Sequence, residues 1–85
     1  KIPAREQELS VANVALSILN AALAAGWGAC WLTGWPAYDD GFCKEALGLQ
    51  PGEWVAGFVH IGTETATPPD RPRPDLAAIT TWVSE

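Results

Sequence analysis

"GWGACWLTGWPAYDD", Gly26–Asp40, holds three tryptophans within nine residues and no charged side chain before Asp39. Three readings compete for it: a strand of a packed core, part of a membrane segment, or the wall of a binding site. The uncharged run reaches back to Leu9, so a membrane helix has to be weighed. Gly26 and Gly28 interrupt the run and Pro36 follows it. Ser10, Asn13, Ser17 and Asn20 recur at helical spacing, a stripe of small polar groups suited to packing contacts. No Lys or Arg flanks the far end, so the positive-inside signal is missing. The expectation is a chain with no membrane-spanning segment.

Working outward toward the N-terminus, the sequence predicts a helix over residues 4–25. Pro3 suits the first turn, where its missing N–H would have no partner. Glu6 and Glu8 lie near the positive end of the helix dipole. Val11, Val14, Ala15, Ile18, Leu19, Ala22 and Leu23 form an apolar face. Gly26 stands where a left-handed C-cap residue belongs. At 1.5 Å per residue the helix is roughly 30 Å long. So long and uncharged a helix exceeds what the rest of the chain can cover, and burial by another segment or a partner subunit is expected.

Toward the C-terminus, "ACWLTG" predicts a short strand over 29–33 and "WPAYDD" a turn. Asp39 or Asp40 caps a helix over 41–47, which Gly48 ends. Pro51-Gly52 is a turn. "EWVAGFVHIG" predicts a strand over 53–62. Trp54, Ala56, Phe58 and His60 share one of its faces; Val55, Gly57, Val59 and Ile61 share the other. Both are mostly apolar, as in a covered sheet. Gly57 leaves room for close approach. Four prolines between Pro68 and Pro74 predict an extended arm over 66–75. A segment over 76–85, a short helix or strand, carries Leu76, Ile79 and Trp82 as anchors.

Composition narrows the function classes. With 48% hydrophobic and 18% charged residues, the chain is built to pack rather than stay disordered. A net charge of −5 with five Lys and Arg argues against nucleic acid and anionic membrane surfaces. Cys30 and Cys43 lack metal-ligand spacing and are expected as reduced, buried thiols in a cytoplasm. The opening "KIPAREQEL" is not a secretion signal, and its lack of an initiating Met fits a fragment.

His60, the lone histidine, has no Ser, Cys or carboxylate at a suggestive spacing and is expected as a hydrogen-bonded core residue. Asp39 and Asp40 are adjacent, and a helix cap explains them better than a two-carboxylate mechanism. "GWGACWLTG" matches neither GxGxxG nor a Walker loop. Arg71 and Arg73 could hold a phosphate. No nucleophile–base pair and no metal set emerges. That argues against a hydrolase built on side chains but not against an enzyme whose cofactor does the chemistry.

One resemblance ties these features together. Gly26, Gly28, Trp31, Gly34, "EALGLQPGEWVAGFVHIGT" and the proline-rich tail, taken in order, resemble the nitroreductase family, its short bacterial NAD(P)H branch above all. The likeness runs from Lys1 to the C-terminus. It implies an α+β fold with a central, mostly antiparallel sheet, flanking helices and an intertwined homodimer. It implies FMN at the dimer interface and a nicotinamide donor, NAD(P)H. Nitroaromatics or quinones would be the acceptors. By resemblance, Trp31, Leu32 and Thr33 line the FMN, and Ala21, Ala22, Leu23, Ala24, Ala25 and Gly26 contact the nicotinamide nucleotide. No side chain takes a catalytic role, since the flavin carries the chemistry. The family's arginine-rich segment that grips the FMN phosphate has no counterpart here. The chain is therefore expected to be a partial domain, the C-terminal half of such a fold. Its rival in another class is a flavin-free remnant that only packs against a partner.

Overall fold

The structure is a computed structural model that describes residues 1–84. Glu85, the last residue of the segment expected over 76–85, lies outside the described residues. The fold is α+β: a long helix, a two-stranded antiparallel ribbon and three short helices.

Helix α1 spans Ala4–Ala24. Pro3 opens it, and its carbonyl accepts from Glu6 and Gln7 at 3.1 and 3.2 Å. The far end closes as a Schellman motif. Trp27 N–H donates to the Ala22 carbonyl and Gly26 N–H to the Leu23 carbonyl, each at 3.0 Å. Gly26 takes φ 93°, which a Cβ would penalise. Ala25 is thus the cap and not the last helical residue of the expected 4–25.

Strand β1 is Gly28–Leu32 and β2 is Phe58–Gly62, in antiparallel register from Gly28↔Gly62 to Leu32↔Phe58. Both expected strands need correction. The first begins one residue earlier than 29 and leaves Thr33 outside the ladder. The second was expected over 53–62, yet residues 53–57 are unpaired. Gly34, at φ 89°, turns the chain away after β1, so residues before Phe58 have no strand to pair with. Glu53 is consumed by a type II turn over Gln50–Glu53, with Gly52 at φ 86° and Glu53 N–H donating to the Gln50 carbonyl at 3.0 Å.

Where a turn was expected after β1, a one-turn helix α2, Trp35–Tyr38, leads into α3, Asp40–Glu45. Asp39 caps α3: its Oδ1 accepts from Phe42 N–H at 2.8 Å. The helix expected over 41–47 stops earlier, at Glu45, where Ala46 caps it. Trp35 and Phe42 pack edge-to-face at 5.2 Å. The Cys43 thiol is buried and donates to the Pro36 carbonyl at 3.2 Å. The last helix, α4, is Leu76–Ile79. Asp75 Oδ1 accepts from Ala77 N–H at its start.

Ala15 and Ala22 are buried on α1, with Leu19 half-buried between them and Ala12 half-buried before Ala15. These four share one face, and the helix rests on the ribbon. The small alanines allow close approach. Leu9, Leu16 and Leu23 flank that stripe on one side, Val11, Val14 and Ile18 on the other, all exposed. Ser10, Asn13, Ser17 and Asn20 lie opposite the ribbon and are exposed as well. Among the described residues no helix is long and apolar enough to cross a membrane.

Candidate functional site

The end of β1 presents the residues singled out in the sequence. Trp31 is the most constrained of them. Its indole Nε1–H donates to the Ala56 carbonyl at 3.3 Å. The ring lies against Gly57, so closely that a Cβ there would overlap Nε1 and Cδ1. Leu32 is half exposed, and Thr33 is exposed just past the last ladder pair. Among the described residues, neither the Thr33 amide nor its hydroxyl has a hydrogen-bond partner. Trp31 and Leu32 project to opposite faces of β1, so a flat group with acceptor atoms along one edge would meet one apolar side chain beside the two unpaired donors. The donor set therefore fits the ring of a flavin. Arg71 and Arg73 stand exposed in the arm.

Ala21–Gly26 lies elsewhere. It forms the last turn and cap of α1 and enters β1 at the Gly28 end. Thr33 is at the opposite end of that strand, about 16 Å away at the rise of an extended chain. The structure does not bring the two groups together. Within the first group only Ala22 is buried; Leu23 is 55% exposed.

The register adds a neighbour that sequence spacing did not reveal. Cys30 stands directly opposite His60, and both are exposed. This corrects two expectations, a buried Cys30 and a core His60. Cys43 alone is a buried thiol. Cys30, His60, Leu23 and Glu64 line one concave surface; a second runs along Val11, Leu49 and Trp54.

The sequence read Gly57 as room for close approach, but not that Trp31 fills it or that the Ala56 carbonyl accepts from its indole. The only signal was a glycine in an otherwise bulky strand-like run.

The sequence pattern of the nitroreductase family matches residues 1–63. The chain is 32% identical over 63 residues to a protein of Escherichia coli (strain K12) named "Putative NAD(P)H nitroreductase YdjA". It is equally similar to the protein of that name in Escherichia coli O157:H7. Each alignment covers 74% of this chain and 34% of the relative, so the chain spans about a third of the length of the curated relatives it matches. The matched stretch holds α1, β1, α2, α3 and β2 and stops before the proline-rich arm, which the resemblance had included. With the family pattern running through every element that frames the Trp31–Thr33 edge, the chain belongs to the nitroreductase family.

Proposed function

We propose that this chain is the C-terminal part of an FMN-dependent oxidoreductase. NAD(P)H would be the hydride donor, and nitroaromatic or quinone-like compounds the acceptors. The observation that carries the reading is the pair of unpartnered donors at Thr33, beside the apolar surface of Trp31 and Leu32, in a chain of this family.

The flavin, when bound, supplies the redox chemistry. The protein's part is position and polarity. Trp31 and Leu32, on opposite faces of β1, would place apolar surface on either side of the strand end where the ring would sit. The Thr33 amide and hydroxyl donate toward a ring carbonyl, where fixed donors favour negative charge. Arg71 and Arg73 supply cations suited to the phosphate. Ala21–Gly26 is proposed to touch the nicotinamide nucleotide. Lying a strand length from Thr33, it would meet that nucleotide away from the reacting ring.

A homodimer is proposed for the complete enzyme, on the strength of the uncovered flanks of α1. A cytoplasmic location accords with the free thiols of Cys30 and Cys43.

The test is purification of the complete enzyme followed by flavin extraction and identification. Stoichiometric FMN, reducible by NADH or NADPH in the absence of acceptor, is the expected result. A colourless protein that gains no FMN on titration would instead support the rival reading, a packing remnant without flavin.

A further inference from the structure

We propose that Gly57 is a positioning residue for the flavin-facing edge, acting through Trp31; the inference rests on the flavin reading above. Trp31 pairs with Val59 across the ribbon, and Gly57 lies two residues before Val59, on the same face. The indole turns diagonally onto that bare position. Its Nε1–H reaches the Ala56 carbonyl at 3.3 Å, and its Cε2 lies 3.1 Å from where a Gly57 Cβ would be. No larger residue fits beneath the ring.

Backbone conformation does not explain the glycine. Gly26, Gly34, Gly48 and Gly52 have positive φ; Gly57 does not. Any residue could adopt its φ, and the indole is what a side chain there would meet first. The contact also joins two stretches that the ladder leaves apart. Residues 53–57 are unpaired, and Thr33 lies beyond Leu32↔Phe58. Within this region the Trp31–Ala56 hydrogen bond is the polar tie that continues past the last ladder pair. It fixes the ring of Trp31, a residue that remains 39% exposed. Through the strand it also fixes the direction in which Leu32 and Thr33 leave β1.

The test uses the complete enzyme with 5-fluorotryptophan incorporated. Fluorine NMR reports the Trp31 ring, assigned by its disappearance in Trp31→Phe. The flavin's reduction potential and FMN affinity report the site. Gly57→Ala should shift the Trp31 signal, change the potential and weaken FMN binding by about tenfold or more, the scale of an overpacked contact. Trp31→Phe keeps a ring but loses the donor, and should weaken FMN binding by about fivefold. In a Trp31→Ala background, adding Gly57→Ala should have less than about a twofold further effect, since nothing remains to displace.

If Gly57→Ala shifts neither the fluorine signal nor the potential, the proposal is overturned while the flavin reading stands. A shifted signal with unchanged potential and affinity overturns it too. Should Gly57→Ala fail to fold, Trp31→Phe decides: native FMN affinity and potential in that variant overturn the proposal. A wild-type enzyme that binds no FMN removes the flavin reading, and the proposal with it.

Discussion

Thr33 is the residue on which the proposed flavin-facing edge turns. Its amide lies past the ladder and has no acceptor among the described residues. Thr33→Pro therefore removes a donor without removing a bond of the fold, and the preceding Leu32 is already extended, as a residue before proline prefers. The expected outcome is FMN affinity lowered by about fivefold with the melting temperature little changed, read by titration and calorimetry. Equal affinity in a folded variant would remove Thr33 from the site. Asp39 serves the fold. Asp39→Ala leaves Phe42 N–H without its acceptor and should cost about 1 kcal/mol in denaturant unfolding of the complete enzyme, with FMN affinity unchanged. The Asp39 cap was legible in the sequence because capping needs only local chain geometry. The latch from Trp31 to Ala56 was not, because it depends on a register that no local signal specifies.

Among the elements, α1 was the most legible. Pro3 at the start and Gly26 at the end bracket it, and both signals act within one turn. Which of its faces meets the ribbon was less legible. Apolar residues surround most of the helix, and the buried stripe turned out to be the smallest side chains, Ala12, Ala15 and Ala22 with Leu19. Bulk placed there should be felt at once. Ala15→Leu is expected to destabilise the complete enzyme by about 1–3 kcal/mol, through an overpacked helix–sheet contact. Ser17→Leu tests the opposite face. If a partner covers that stripe, the substitution lowers the melting temperature or dissociates the dimer in size-exclusion chromatography. If the face meets water, stability changes by less than about 0.5 kcal/mol. The second strand was overread for a different reason. Alternation continues from Trp54 through Ile61, but pairing needs a neighbour, and Gly34 takes β1 away.

At the scale of the molecule, the chain does not cover itself. Its radius of gyration is 17.2 Å, against about 12 Å for a compact chain of this length. It exposes 7581 Å², where a compact protein of its mass exposes about 4,900 Å². The difference is on the scale of large obligate interfaces. Leu76, Ile79 and Trp82 are 72%, 64% and 90% exposed, so the anchors expected in the last segment have nothing here to grip. The 85 residues alone should therefore show no sharp calorimetric transition and should enhance the fluorescence of an apolar dye. A cooperative transition with no dye binding would mean the chain is self-sufficient. The sequence pointed to this deficit through the charge-free stretch of α1, though not to what fills it, since apolar flanks specify burial but no occupant.

The excursion over residues 33–57, which leaves β1 and returns to β2, has its own small core at Ala37 and Cys43. Closing a loop costs only about 0.6 kcal/mol more for each doubling of its length. The stretch around Lys44–Gln50 is therefore where insertions and deletions should accumulate as the gene diverges, while Trp31, Ala56 and Gly57 keep the two ends of the excursion together. Variation in length there would let one scaffold change the shape of its rim without disturbing the strand register beneath.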